Sequence, residues 1–197
     1  MTVFTEVLKQ NIFFLKNKGI VSAERDALTL LSFALDFGDN QHNVNQDRQI
    51  SNIERKNINH LVSRRAKNEP VAKIIGKKLF WNSSFYVDCN VLDPRPETEV
   101  LVESVLSNIG KFKTILDLGT GTGCIAISLA LVLDKVAVAA SDHSQKALSI
   151  ARMNAKENSA KVEFIFSNWF EGVSKKFDVI VSNPPYVSKN DFLNLPK

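Results

Sequence analysis

The residues best suited to chemistry form the tetrapeptide Asn183-Pro184-Pro185-Tyr186, which directly follows an apolar run. The Asn183 side-chain oxygen and the Pro184 carbonyl are two acceptors that can bind both N–H groups of a planar nitrogen. That binding would orient a weak lone pair, and Tyr186 could stack on the flat group. Group transfer to an amide or exocyclic amino nitrogen then needs positioning and electrostatics, without a strong base. Asn183, Pro184 and Tyr186 are the candidate catalytic residues and Pro185 completes the candidate substrate pocket, while the plainer alternative is a proline-stiffened turn.

A glycine-rich turn upstream supplies a candidate cofactor site. Its residues, between an apolar strand and an apolar helix, are Gly119, Thr120, Gly121, Thr122 and Gly123. Glycines let backbone N–H groups approach a ligand, and Asp142 after the next strand can accept hydrogen bonds from two ribose hydroxyls. Such a turn serves a dinucleotide or S-adenosylmethionine, or is purely structural. Asp117 favours S-adenosylmethionine, because a carboxylate suits its ammonium and sulfonium groups and suits a pyrophosphate poorly.

Elements that alternate between strand and helix must position both motifs. The pattern predicts strands over 114–117, 136–140, 162–166 and 177–181, and helices over 97–108, 123–133 and 144–158. This alternation predicts an α/β fold with a parallel, doubly wound, Rossmann-like sheet, whose strand order by analogy with that fold is 3-2-1-4. Ligands bind beyond the carboxyl ends of such strands, so the glycine-rich turn and the tetrapeptide are expected on one rim.

The part of the chain before residue 76 predicts a small helical bundle with no clear strand. Ser22 is expected to cap the second helix and Gly38 to end it, and a third helix is expected over 47–67. Its expected inward residues are Ile50, Ile53, Ile58, Leu61 and Val62. Residues 76–93 predict a β-hairpin that connects the two halves. The predicted domains are therefore the helical domain over 1–75, the hairpin linker over 76–95 and the cofactor-binding domain over 96–197.

The charge of the chain is modestly positive and unevenly placed. The formal net charge is +4, and basic residues dominate between residues 48 and 78. Such a stretch faces nucleic acid or an acidic partner in some proteins, and is a solvated helix face in more of them. Cys89 and Cys124 show no metal-binding spacing, so no metal is expected. No apolar run reaches the ~20 residues that span a bilayer and no signal peptide is apparent, so a cytoplasmic protein without membrane contact is expected.

Several stretches resemble the release-factor glutamine methyltransferases, and together they cover essentially the whole chain. They are residues 70–76 followed by Phe80-Trp81, residues 94–99, residues 177–186 and residues 25–27. The resemblance implies methyl transfer from S-adenosylmethionine to the side-chain amide of the glutamine in the GGQ motif of class I peptide-chain release factors. It implies cofactor contacts at residues 119–123, Asp142, Trp169 and Asn183, and a glutamine pocket at residues 183–186. It also implies that the helical domain and the hairpin help to dock the release factor, with Glu97 and Thr98 near the site.

Two other functions stay open on the sequence alone. One is an amino-methyltransferase of DNA or RNA bases, which would need a base-flipping pocket. Residues 94–99 argue against it, so no specific nucleic-acid binding is expected. The other is a truncated, non-catalytic remnant that binds S-adenosylmethionine or a release factor. The family fold continues past Lys197 with further strands, so the fourth strand is expected to be an exposed edge that a partner chain completes.

Overall fold

A computed structural model describes residues 2–37, 47–108, 110 and 112–184. The chain divides into two compact units, Met1–Gly76 and Lys77–Lys197. Each unit has its own core of buried aliphatic and aromatic side chains. The expected helix end at Gly38 and the candidate site residues Pro185 and Tyr186 lie outside the described residues. Within the described ranges, no helix combines the length and the apolar character needed to cross a bilayer.

The first unit is helical, as its apolar periodicity predicts. Its elements are β1 (Thr2–Val3), α1 (Phe4–Asn17), α2 (Ala23–Ala34), β2 (Gln49–Ile50), α3 (Asn52–Arg65) and α4 (Val71–Ile75). The helices turn apolar stripes toward one core, which includes Val7, Leu15, Leu30, Ile58 and Val62. Each fully buried side chain of this kind contributes about 1.5–3 kcal/mol, and helices this short depend on such packing.

Strand pairing and the start of the third helix depart from the sequence prediction. β1 and β2 form an antiparallel pair where the pattern predicts no strand, because two residues are too few to show alternation. The third helix begins at Asn52, since Ser51 and Glu54 form a reciprocal capping box there. Its expected inward residue Ile53 is 74% exposed, so that prediction is wrong.

Ser22 is the N-cap residue of α2 as predicted, but its side chain makes no capping hydrogen bond, and Asp26 is the reason. The Ser22 hydroxyl donates to Asp26 Oδ2 at 2.6 Å, and it accepts no hydrogen bond from a backbone amide at the helix start. Asp26 is buried and also accepts from Arg65 Nε at 2.8 Å, which joins α2 to α3. The charge-assisted bond turns the hydroxyl toward Asp26, and in that orientation its oxygen accepts from no backbone amide of the first turn.

Arginines in the basic stretch are largely paired inside the helical unit. The pairs are Arg48 with Glu54 at 2.7 Å, Arg64 with Glu69 at 2.8 Å and Arg65 with Asp26 at 2.8 Å. Arg55 donates to Thr2 Oγ1 at 3.2 Å and to Gln10 Oε1 at 3.0 Å. These guanidinium groups connect elements of the unit, and this favours a structural interpretation of the basic stretch over a nucleic-acid surface.

The second unit is a Rossmann-like α/β sheet preceded by the predicted hairpin. Its elements are β3 (Lys77–Phe80), β4 (Ser83–Tyr86), a 3-10 turn (Pro96–Thr98), α5 (Glu99–Leu106), β5 (Thr114–Leu118), α6 (Cys124–Val132), β6 (Ala137–Asp142), α7 (Gln145–Glu157), β7 (Glu163–Phe166) and β8 (Val179–Val181). β5 to β8 form one parallel sheet in the order β7-β6-β5-β8. This is the predicted 3-2-1-4 order, in which β8 has no further neighbour among the described residues.

Burial of the central strand follows from its sequence. Ile115 and Leu116 of β5 are fully buried on opposite faces. Ile115 packs with α5 and α6, whereas Leu116 packs with Val173 and Phe177 from the segment between β7 and β8. α6 is apolar nearly all round because it is buried between the sheet and α5. Asp178 then fixes the start of β8 beside β5, since its Oδ2 accepts from the backbone N–H groups of Lys113 and Thr114 at 2.8 and 3.0 Å.

The hairpin packs into the core of the second unit. Its register pairs Phe80 with Ser83, so the turn consists of Trp81 and Asn82, and Trp81 takes a positive φ of 53°. Phe80 and Phe85 are buried and meet edge to face at 6.1 Å. This aromatic pair therefore anchors the hairpin in the core of the second unit.

Candidate active site

The glycine-rich turn leaves the carboxyl end of β5 and starts α6. Gly119, Gly121 and Gly123 all have positive φ, between 55° and 82°. A Cβ on Gly119 or Gly121 would meet no atom within 4 Å, whereas one on Gly123 would lie 2.9 Å from Ile127 Cδ1. The first two glycines therefore leave open space for a ligand, and the third lets α6 pack closely.

Asp117 is a fully buried carboxylate beneath this turn. Its Oδ2 accepts from the Thr120 hydroxyl at 2.6 Å and from the Ala126 amide at 3.3 Å. Its Oδ1 has no hydrogen-bond partner among the described residues. Burial raises the pKa of Asp117 to about 6, against the opposing effect of the two hydrogen bonds. Oδ1 is therefore a buried acceptor that the described residues leave unsatisfied, and Asp117 does not itself line the cavity described below.

Asp142 ends β6 and is tied to the glycine-rich turn. Its Oδ2 accepts from the Gly121 amide at 2.9 Å, and its Oδ1 accepts from the Ser144 amide at 2.9 Å. Each carboxylate oxygen can accept a second hydrogen bond. The side chain is therefore held rigidly while it keeps one acceptor position on each oxygen for a pair of hydroxyls.

A cavity of about 330 Å³ lies along the carboxyl ends of the strands. Its lining residues are Leu118, Gly119, Ser141, Asp142, His143, Ser167, Asn168, Trp169, Ser182 and Pro184. It thus brings together Gly119, Asp142, Trp169 and Pro184 from the residues that the sequence singles out. The volume lies within the usual range for small-molecule sites, roughly 300–1,000 Å³.

The other predicted cofactor residues do not line this cavity. Thr120 turns its hydroxyl to Asp117, and Thr122 is buried with its hydroxyl bonded to Cys124. Gly121 contributes its amide to Asp142, and Gly123 faces α6 and α7. These four residues therefore stabilise the conformation of the glycine-rich turn.

Residues that the sequence argument missed lie at or just beyond the carboxyl ends of strands. Ser141 and His143 flank Asp142 at the end of β6, Ser167 follows β7, and Ser182 follows β8. The Ser182 hydroxyl donates to the Leu118 carbonyl at 2.7 Å, which holds the end of β8 against the end of β5. The rule that ligands bind beyond the carboxyl ends of parallel strands would have found them without any motif.

The Asn183 side chain is held by the segment before α5. Its Nδ2 donates to Thr98 Oγ1 at 3.1 Å, and Thr98 is buried at the end of the 3-10 turn. The next residue, Glu99, accepts from the Trp81 backbone amide at 2.9 Å. Residues 94–99 therefore link the hairpin turn to the predicted catalytic tetrapeptide.

The fold and this strand-end site define a Rossmann-like methyltransferase domain, and comparison with known proteins narrows the class. The family model "Methyltransferase small domain" matches residues 91–194, and the model "PrmC N-terminal domain" matches residues 6–76. The release factor glutamine methyltransferase of Leptospira interrogans is 41% identical over 200 residues, covering 97% of this chain and 70% of that protein. The chain belongs to the release factor glutamine methyltransferase family.

Other relatives are longer than this chain. A release factor glutamine methyltransferase of Buchnera aphidicola is 46% identical over 156 residues, covering 78% of this chain. The match spans 57% of that relative, and 52% of a second one from the same species. Among solved structures, the chain is similar to a Thermus thermophilus 16S rRNA methyltransferase at 21% identity and a TM-score of 0.49, over 56% of this chain and 32% of that one.

Proposed function

We propose that this chain transfers a methyl group from S-adenosylmethionine to the side-chain amide nitrogen (N5) of the glutamine in the GGQ motif of class I peptide-chain release factors. The observation that carries the proposal is the Asn183 amide, held by Thr98 at the end of β8, with Pro184 at the rim of the strand-end cavity. Relatives from Leptospira interrogans and Aliivibrio fischeri, which match 97% and 94% of the chain, carry the name of this activity.

The residues of the cavity and of the adjoining glycine-rich turn fit S-adenosylmethionine. Asp142 offers one acceptor on each carboxylate oxygen, which suits the two hydroxyls of a ribose. The open faces of Gly119 and Gly121 let the backbone come close to a ligand. Asp117 has a buried oxygen without a partner among the described residues, and a carboxylate there attracts an ammonium group. Trp169, 57% exposed at the cavity, offers a flat apolar surface.

When bound, S-adenosylmethionine supplies a methyl group attached to a positively charged sulfur. The chain's own task is to orient the amide that receives it. The Asn183 oxygen and the Pro184 carbonyl accept the two N–H groups of the glutamine amide, which turns its lone pair toward the methyl carbon. Pro185 stiffens that backbone and Tyr186 stacks on the planar amide. Water takes the extra proton after transfer, so Asn183, Pro184 and Tyr186 act by positioning and electrostatics.

The proposal also assigns different roles to different parts of the chain. The helical domain over residues 1–75 and the hairpin linker over 76–95 dock the release factor, and the domain over 96–197 carries the chemistry. Release factors act on cytoplasmic ribosomes, so the chain works in the cytoplasm without membrane contact. The internal pairing of the arginines on the helical unit supports a protein partner over nucleic acid.

The direct test is methyl transfer from labelled S-adenosylmethionine to a purified, unmethylated release factor. Label should enter the wild-type factor and be absent from a factor whose GGQ is changed to GGA. Asn183→Ala in this chain serves as the second control, because it removes the proposed acceptor. A folded chain that binds S-adenosylmethionine but labels neither factor would contradict the proposal, and nucleic-acid acceptors would be tested next.

A further inference from the structure

An asparagine can only serve as the acceptor in the proposed reaction when the correct end of its amide faces the substrate. The oxygen accepts an N–H group, whereas the nitrogen would repel it. The two ends have nearly the same shape, so packing alone does not choose between them. Something must therefore bind one end of the Asn183 amide and leave the other end free.

Thr98 is the group that binds the nitrogen end. Asn183 Nδ2 donates to Thr98 Oγ1 at 3.1 Å, across 85 residues of sequence. With Nδ2 engaged in this way, the Asn183 oxygen is the end left for a substrate. Thr98 itself is only 7% exposed, so the hydroxyl has little access to water as a competing partner.

The backbone around Thr98 is fixed from both sides. Its amide donates to the Arg95 carbonyl at 2.9 Å, which closes the 3-10 turn Pro96–Thr98. Glu99 on the other side accepts from the Trp81 amide at 2.9 Å and so anchors the segment to the hairpin turn. The hydroxyl is thus presented from a rigid element, which is what a positioning group requires.

We propose that Thr98 is a positioning residue that holds the Asn183 amide with its oxygen toward the glutamine nitrogen. Thr98 acts through Asn183 and contacts no reacting atom. This inference rests on the proposed function for its kinetic effect, while the hydrogen bond on which it depends is measurable without any substrate.

The test compares Thr98→Val, which keeps the shape and removes the hydroxyl, with Thr98→Ser, which keeps the hydroxyl. Thr98→Val should lower kcat for release-factor methylation by about 10- to 100-fold, in line with the usual cost of misplacing a reacting group. The KM for S-adenosylmethionine should stay within about twofold, because the hydroxyl lies outside the cavity that Asp142 and Gly119 line. Thr98→Ser should recover most of the wild-type kcat.

A second readout is the Asn183 side-chain amide in a proton–nitrogen NMR spectrum, assigned by its loss in Asn183→Ala. In Thr98→Val one proton of this amide should move upfield and exchange faster with water, and in Thr98→Ser it should stay near its wild-type position. An unmoved amide signal in a folded Thr98→Val variant would overturn the inference, and so would equal loss of kcat in both variants. If the wild-type chain methylates no release factor, the proposed function fails, and the amide signal still decides whether Thr98 orients Asn183.

Discussion

The Asn154 side-chain amide forms two hydrogen bonds with the Tyr86 backbone, in the pattern that a neighbouring β-strand would form. The Asn154 Oδ1 accepts from the Tyr86 amide at 2.7 Å, and its Nδ2 donates back to the Tyr86 carbonyl at 3.1 Å. The same Nδ2 also donates to the Thr122 carbonyl in the glycine-rich turn at 2.9 Å. One buried side chain on α7 thus ties the hairpin to the cofactor turn.

Asn154→Ala should lower the free energy of unfolding by about 1–3 kcal/mol, because it removes the partner of the buried Thr122 carbonyl as well as the two bonds to the Tyr86 backbone. The matched control is Asn158→Ala at the C-cap of the same helix, whose Nδ2 bonds the Ser84 carbonyl at the surface and the Asn154 carbonyl. That control should cost less than about 1 kcal/mol. Urea denaturation followed by circular dichroism measures both, and similar losses in the two variants would contradict the role assigned to Asn154.

Gly123→Ala should destabilise the protein by about 2–4 kcal/mol, through backbone strain and overpacking together. The added Cβ would lie 2.9 Å from Ile127 Cδ1 and 3.2 Å from Ala151 Cβ, at a φ of +82°. Gly119→Ala should cost only about 1 kcal/mol, because it adds similar strain in open space. Ile127→Val removes the closest carbon, so the Gly123→Ala/Ile127→Val double variant should lose less stability than the sum of the single changes. An additive double variant would argue against that contact.

Asp117→Asn should raise stability at pH 7.5 and weaken cofactor binding. Burial raises the pKa of Asp117 to about 6 from an ordinary 3.8, so the folded protein holds a proton that the unfolded chain releases between these values. Wild-type stability therefore falls as pH rises from about 4 to 6 and stays lower above that range, a cost on the order of 3 kcal/mol. The neutral amide has no such cost and no charge for an ammonium group.

Urea denaturation across pH 4–7.5 tests the first part of this prediction, and calorimetric titration with S-adenosylmethionine tests the second. The affinity of the wild-type chain should rise as pH increases through about 6, and the affinity of Asp117→Asn should not depend on pH there. Tight, pH-independent binding by both proteins would show that the Asp117 carboxylate does not meet the cofactor.

Asp178→Asn should destabilise the protein at neutral pH, with the opposite pH dependence. The backbone amide of Lys113, with the hydroxyl and amide of Thr114, holds the pKa of Asp178 below its ordinary 3.8. Its ionised form thus favours the folded state above that pH, and the contribution disappears as pH falls through the lowered pKa. The stability gap between wild type and Asp178→Asn should be constant from pH 5 to 7 and shrink below about 4. A gap that persists unchanged at low pH would mean that charge plays no part.

Much of the second unit follows from sequence pattern. β5 and α6 are apolar runs on either side of a glycine-rich turn. The length of each run allows only one secondary structure, a strand before the turn and a helix after it. The details of the helical unit are harder to predict, because they depend on contacts between side chains far apart in sequence. Asp26 accepts a hydrogen bond from Arg65 across 39 residues. No local sequence pattern shows that the same carboxylate also accepts the Ser22 hydroxyl.

The candidate site divides in the same way. Asp142 and Gly119 can be predicted as site residues from their types and positions in the sequence, and both line the cavity. The placement of Asn183 against Thr98 depends on how the chain returns from β7 to the far side of β5, which is a property of topology. The motif does not predict the roles of Thr120 and Thr122, whose hydroxyls form hydrogen bonds with Asp117 and Cys124 inside the turn.

The return of β8 to the far side of β5 has a consequence for synthesis on the ribosome. β5, β6 and β7 leave the ribosome in order and can pair at once, whereas Asp178 reaches Thr114 only after another 64 residues have been made. Until then a nascent chain presents the bare edge of β5, with its apolar residues Ile115 and Leu116, to chaperones and to neighbouring chains. The speed of translation between β7 and β8 therefore sets how long this edge stays unprotected, and slow codons there would increase misassembly.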